Sequence, residues 1–171
     1  LGMPGAMPEV NREAVAKAIQ ACTALHLTID PLVKFDRKNY YYSDLPKGFQ
    51  ITQQFHPIGR DGYVEIDTPN GKRKIRIERI HMEEDTAKQF HLTKVSLLDF
   101  NRAGTPLIEI VSKPDMHNGQ EAEAYVEALR QTLEEQHVRA ESLNALESVS
   151  FQTKAGGRML RELSEWCFAA C

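Results

Sequence analysis

Two short acidic stretches, His81-Met-Glu-Glu-Asp85 and Leu107-Ile-Glu-Ile-Val111, set carboxylates among apolar neighbours. Taking an isolated carboxylate out of water costs several kcal/mol unless a proton, a basic side chain or a metal ion compensates it. Glu109 has Leu107 and Ile108 before it and Ile110 and Val111 after it, the pattern of a strand covered on both faces. Something positive should therefore meet Glu109. Magnesium prefers hard oxygen ligands and keeps several waters, so one or two carboxylates facing a nucleotide phosphate make a typical site, and Glu84 and Glu109 suit it best. Period-two alternation puts Ile80, Met82 and Glu84 on one face of their strand, and Leu107, Glu109 and Val111 on one face of theirs. If the strands are neighbours, both carboxylates are expected to point into one cleft. The residues alone leave an alternative, a buried ion pair of Glu109 with Arg76, Arg79 or Arg102. Zinc is not favoured, because His81 has no second His four residues on.

Lys38 and Lys47 lie in an aromatic stretch, where a lysine close to apolar surroundings can hold a carboxylate or handle protons. The competing reading is a pair of solvated lysines over an aromatic strand. Tyr40, Tyr41 and Tyr42 can stack on nucleobases, although tyrosines in a strand more often fill a core. Gly2, Gly5 and Gly156-Gly157 lack the context of a phosphate-binding glycine loop. No nucleophilic Ser or Cys arrangement stands out.

These residues must be positioned by a soluble-type chain of 171 residues, 42% apolar and 26% charged, long enough for one domain with a real core. A net charge of -3 does not advertise nucleic-acid binding, so any RNA contact must use a local basic patch. Cys22, Cys167 and Cys171 have no zinc-type spacing and read as reduced, intracellular thiols. No run approaches the ~18 apolar residues of a membrane span, and no membrane association is expected. The Gly/Pro-rich start reads as loop. Asn11 then caps a helix with Val15, Ala18, Ile19, Cys22 and Leu25 on its apolar face, and His26 near its end reads as structural. Lys34 to Gln50 is strand and loop.

Tyr63–Asp67 and Lys74–Met82 flank Thr68-Pro-Asn-Gly71 and predict a β-hairpin. The apolar positions change parity between Ile77 and Ile80, which calls for a bulge or burial on both faces. Val95–Phe100 and Pro106–Val111 suggest a second antiparallel pair around Asn101-Arg-Ala-Gly104. Asn118 and Glu121 have capping-box spacing ahead of the stripe Ala122, Tyr125, Val126, Leu129 and Leu133, a helix that packs on the sheet. Beyond Glu135 the pattern weakens to a short helical face at Leu160, Leu163, Trp166 and Cys167.

Six segments occur in order: Leu1-Gly-Met-Pro-Gly-Ala-Met-Pro8, Phe35-Asp-Arg-Lys-Asn-Tyr40, Asp44-Leu-Pro-Lys-Gly48, Arg79-Ile-His-Met-Glu-Glu-Asp85, Asp99-Phe-Asn-Arg102 and Pro106-Leu-Ile-Glu-Ile-Val111. As a set, from Leu1 to about Leu133, the chain resembles the B subunits of tRNA-dependent amidotransferases, which make glutaminyl- or asparaginyl-tRNA from a mischarged precursor. The resemblance implies an α+β fold, an antiparallel sheet with flanking helices in part of a glutamine synthetase-like cradle. That catalytic domain is expected over 1–134, with a divergent tail over 135–171.

The implied activity is that of a carbon–nitrogen ligase using glutamine as amido donor. ATP phosphorylates the side-chain carboxylate of Glu or Asp on misacylated tRNA, and ammonia from a glutaminase subunit then displaces phosphate. ATP and Mg2+ are the implied cofactors; the glutaminase A subunit, a C subunit and misacylated tRNA are the implied partners. By position in the motifs, Glu84 and Glu109 match magnesium carboxylates, and Lys38 and Lys47 match residues lining the route of ammonia. Glu84 is also expected to take a proton from ammonium. A Gly-Leu-Glu-Val-His strand expected before Leu1, and a Glu-Gly-Ser-Leu-Arg stretch expected after the second helix, are not in this sequence, so the chain alone is expected to be incomplete as a catalyst. A non-catalytic docking module and a carboxylate-metal hydrolase are the competing functions. Cytoplasm, mitochondrial matrix and plastid are all compatible compartments.

Overall fold

The first helix begins where its cap predicts: the Asn11 side chain accepts hydrogen bonds from the backbone N–H groups of Glu13 (2.9 Å) and Ala14 (3.3 Å). In this computed structural model, which describes residues 7–136 and the strand at Trp166–Ala169, the elements are α1 (Arg12–Ala24), β1 (Thr28–Ile29), β2 (Asp36–Asn39), β3 (Phe49–Thr52), β4 (Gly59–Thr68), β5 (Gly71–Glu84), β6 (Lys88–His91), β7 (Ser96–Asp99), β8 (Pro106–Ser112), α2 (Gly119–Glu135) and β9 (Trp166–Ala169). An antiparallel sheet runs in the order β1-β4-β5-β8-β9, and β2-β3 and β6-β7 form two smaller antiparallel pairs. This is an α+β arrangement.

The helices cover one face of the large sheet. Ala14, Ala18, Ala21 and Cys22 of α1, with Tyr125, Val126, Leu129 and Leu133 of α2, pack on Val64 and Ile66 of β4, Ile75, Ile77, Ile80 and Met82 of β5, and Ile108 and Ile110 of β8. The apolar face expected for α1 is rotated toward its alanines, because Ile19 points outward and is 37% exposed. Small side chains there let the helix lie close to the sheet. A Cβ on Gly62 of β4 would sit 2.4 Å from the Leu25 carbonyl oxygen, the same oxygen that accepts a hydrogen bond from Tyr63 N–H at 3.0 Å. The helix ends in a Schellman arrangement, with Leu27 N–H bonded to Cys22 C=O and His26 N–H to Thr23 C=O. His26 takes the left-handed conformation (φ 61°) that this ending requires, and its ring stacks on Tyr63 at 4.2 Å, a structural role as expected.

The predicted hairpin is present. Thr68 pairs with Gly71 across Pro69-Asn70, Gly71 adopts φ 104°, and the Thr68 hydroxyl donates to the Gly71 carbonyl at 2.7 Å. The parity change along β5 is a bulge: in the ladder with β8 the register shifts between Ile77 and Arg79. Before it, burial alternates; from Ile80 to Glu84 every residue is buried, so the strand is covered on both faces there.

The second expected strand pair does not form. β7 pairs with β6, and β8 returns to β5. The physical reason lies at Asp85, whose backbone N–H donates to Thr105 C=O (2.8 Å) and whose carbonyl accepts from Gly104 N–H (2.9 Å), so the Asn101–Gly104 turn is clasped to the end of β5. The helical face expected near Trp166 and Cys167 is strand backbone instead, while Leu160 and Leu163 lie outside the described residues. No helix among the described residues is long and apolar enough to cross a membrane.

Two substitutions check this packing by urea unfolding. Gly62→Ala should cost about 1–3 kcal/mol, because the new methyl group meets backbone rather than a movable side chain. Tyr125→Phe should be neutral, or stabilising by up to about 1 kcal/mol, because the buried Tyr125 hydroxyl has no hydrogen-bond partner among the described residues.

Candidate functional site at the end of β5

The β4 ladder stops at Gly59, opposite Ile80, so the last residues of β5 lack a strand on that side. Side-chain amides take its place. Gln53 Oε1 accepts from Met82 N–H at 2.9 Å, and Gln50 Nε2 donates to the Glu84 carbonyl at 2.8 Å. On the other side, β8 pairs His81 with Glu109, Met82 with Ile108, Glu83 with Leu107 and Glu84 with Pro106. Directly paired residues share a face, so His81, Glu83 and Glu109 lie on the face away from the helices, and Met82 and Glu84 lie on the helix side.

This overturns the expected convergence of Glu84 and Glu109 on one ion. The two strands are neighbours, but the register aligns the core residues Ile80 and Met82 with Ile110 and Ile108, which leaves Glu84 and Glu109 on opposite faces. The carboxylate that meets Glu109 is Glu83. Sequence reasoning missed Glu83 and His81 as a unit. The signal was the matching of the two core pairs, which is visible only once the pairing is known.

On the face away from the helices, His81 Nε2 stands 3.5 Å from Glu109 Oε2 and 3.7 Å from Glu83 Oε2. At those lengths the contacts are charge–charge rather than full hydrogen bonds. Burial by itself lowers the imidazole pKa, but the two carboxylates outweigh it and raise His81 to about 9. The arginines considered for Glu109 have other partners: Arg76 binds Asp115 through two hydrogen bonds at 2.6 and 2.8 Å, Arg79 pairs with Glu78, and Arg102 pairs with Asp85. The cavity on this face, about 400 Å³, has Arg37, Lys38 and Arg79 on its walls together with Asp36 and the three clustered residues. Lys38 is exposed at its rim, its ammonium 5.9 Å from the Tyr40 ring centre.

On the helix side, Glu84 is 7% exposed and forms an ion pair with Lys47, whose side chain is 5% exposed. The same carboxylate oxygen accepts from Ile51 N–H at 2.9 Å. Lys47 is thus not a solvated lysine; its ammonium also lies 5.1 Å from the Phe49 ring centre. A second cavity of about 350 Å³ opens beside Glu84, lined by Met7, Val10, Phe35, Ile51 and Met82 among others. Tyr41 and Tyr42 are exposed rather than part of a core.

The donor set on the face away from the helices suits a divalent cation. One ligand atom each from His81, Glu83 and Glu109 lies within 4.8 Å of the others. Neighbouring ligands of an octahedral magnesium are ~2.9 Å apart, so the His81 contacts at 3.5 and 3.7 Å would have to close by somewhat more than half an ångström. Among the described residues His81 Nδ1 is buried without a hydrogen-bond partner, and the two carboxylate contacts of His81 are long. A cation between the carboxylates would therefore replace an imperfect compensation with a better one.

One strand thus carries clustered carboxylates on one face and a buried lysine–glutamate pair on the other. Residues 1–147 match the model of the GatB/GatE catalytic domain, and the chain belongs to that family. It is 58% identical over 134 residues (78% of this chain, 28% of the relative) to the B subunit of the aspartyl/glutamyl-tRNA(Asn/Gln) amidotransferase of Mycoplasma capricolum. The corresponding B subunit of Helicobacter pylori is 56% identical over 129 residues, covering 75% of the chain and 27% of the relative. That of Mycoplasmopsis synoviae is 47% identical over 176 residues, covering 95% and 37%. The chain therefore spans between about a quarter and just over a third of the length of these relatives.

The imidazole provides a test without any added metal. Because the folded pKa of His81 lies above its ordinary value of 6.5, its contribution is fully present below about pH 6.5 and lost as pH rises through about 9. Urea unfolding in chelator should show stability falling by about 2–3 kcal/mol across that window. His81→Gln should flatten the profile.

Proposed function

We propose that this chain is the part of an amidotransferase B-type polypeptide that carries its phosphate and metal site, in a cradle-like fold similar to glutamine synthetase. The observation that supports this most is the division of labour along Met82–Glu84: a carboxylate cluster facing a cavity with basic walls on one side, a buried Lys47–Glu84 pair on the other. The substrates are ATP and the side-chain carboxylate of Glu or Asp esterified to tRNA. Attack of a carboxylate oxygen on the γ-phosphorus forms an acyl phosphate and releases ADP. Ammonia then adds at the carbonyl carbon, phosphate departs with its bonding pair, and the proton lost from nitrogen passes to the departing phosphate, leaving the amide.

Glu83, Glu109 and His81, the last on giving up its imidazolium proton to solvent, would hold Mg2+, which would supply neutralisation of the triphosphate charge. Glu83 and Glu109 thus replace the pair first expected, Glu84 and Glu109. Arg37, Lys38 and Arg79 stand where phosphate oxygens can be held and oriented. Glu84 accepts a proton as ammonium is converted to ammonia, and Lys47 holds its carboxylate in place until then. The nitrogen is supplied by a glutaminase A subunit in a complex that includes a C subunit.

A docking role has one observation in its favour. Phe90 and Leu97 pair across the β6-β7 hairpin, and with Leu92 and Val95 at its tip all four are exposed. Calorimetric titration of the chain with ATP and Mg2+ separates the readings, since a pure docking module gives no heat.

In the assembled amidotransferase, Glu83→Gln or Glu109→Gln should slow acyl-phosphate formation by about 10²–10³-fold. Glu84→Gln and Lys47→Met should leave that step near wild type and slow amide formation instead. Acyl-phosphate formation at the wild-type rate in both Glu83→Gln and Glu109→Gln would remove the site assignment.

A further inference from the structure

Glu83 and Glu84 are consecutive, yet they serve opposite faces of the sheet, so one short stretch of backbone sets the aim of both. One side of that stretch is pinned by the ladder to β8. On the other side, among the described residues, the backbone is held by the two glutamines, and both are buried, Gln53 at 1% and Gln50 at 6% exposure. Gln53 uses both ends of its amide: the oxygen takes Met82 N–H, and the nitrogen donates to the Lys34 carbonyl at 3.2 Å, just ahead of β2. Gln50 holds the Glu84 carbonyl, and the next residue, Ile51, holds the Glu84 carboxylate. The β2-β3 hairpin therefore reaches the acidic strand through amide side chains.

We infer that Gln53, assisted by Gln50, is a positioning residue that fixes Met82–Glu84 and so aims Glu83 at the cation while presenting Glu84 to Lys47. Gln53 touches neither cation nor substrate in this role. The inference rests on the reading of His81, Glu83 and Glu109 as a cation site. Its physical basis is that a carboxylate ligand must be held to a few tenths of an ångström, and a strand edge with an unpaired N–H does not hold it. The same hairpin supplies Arg37 and Lys38 to the cavity wall, so the amide clamp also fixes the distance between the basic wall and the acids.

The test uses Mn2+ as probe, followed by electron paramagnetic resonance on the chain. Gln53→Met keeps the side-chain length and removes both hydrogen bonds. In folded Gln53→Met, the Mn2+ Kd should rise by about 10–100-fold, whereas a residue that only supports folding would lower Tm and leave Kd alone. A mutation-free readout accompanies it: saturating Mg2+ should slow hydrogen exchange at the Met82 amide of the wild-type chain by about tenfold, because the clamp and the cation stabilise one arrangement. A wild-type Kd in Gln53→Met, or no change in Met82 exchange, overturns the inference while the cation site stands. If Gln53→Met does not fold, the exchange measurement decides. If Glu83→Gln and Glu109→Gln leave Mn2+ binding intact, the cation reading fails and takes this inference with it.

Discussion

One extra residue in β5, the bulge between Ile77 and Arg79, sets the chemistry of this molecule. Without it, strict alternation from Ile75 and Ile77 would carry Arg79, His81 and Glu83 into the layer under the helices. That layer is apolar, and ionised groups there would lack both water and partners. With the bulge, Ile80 and Met82 continue the core, and His81 and Glu83 lie on the face away from the helices, beside Glu109. The hydrophobic effect thus decides which acids become available, because Ile75, Ile77, Ile80 and Met82 of β5 and Ile108 and Ile110 of β8 must all face α1 and α2.

The two neighbouring glutamates are compensated in different ways. Glu84 is fully provided for, with a lysine and a backbone N–H on the same oxygen. Removing Lys47 would leave a buried, half-satisfied anion, which is why such pairs are costly to break even when their net contribution to stability is small. Glu83 and Glu109 share one imidazole at distances too long for good hydrogen bonds, and the other nitrogen of that imidazole has no partner among the described residues. The first arrangement is closed, and the second invites a further positive charge.

Much of the local structure was legible in the chain. Asn11 and Asn118 cap their helices through their own side chains, and Thr68-Pro-Asn-Gly71 turns a hairpin, because these preferences are decided by bonds within a few residues. Burial around Glu109 on both faces was legible too, from unbroken apolar flanks. The pairing of β8 was not: its apolar run fits any neighbour, and the choice of β5 over β7 depends on the clasp at Asp85, a backbone contact with Thr105 far along the chain. Lys47 could not be told from Lys38 by sequence, since both lie in aromatic surroundings; only Lys47 is carried under the β2-β3 hairpin to a buried carboxylate.

What the sequence determined by itself was the presence of uncompensated carboxylates in apolar strands, the helices and hairpin around them, and, through six ordered motifs, the family. Those follow from residue type and short-range spacing. Which acids meet was decided only by tertiary structure. Side chains in a strand alternate, so a shift of one residue in register exchanges the faces completely, and that register is set by the simultaneous fit of two strands and two helices around one core.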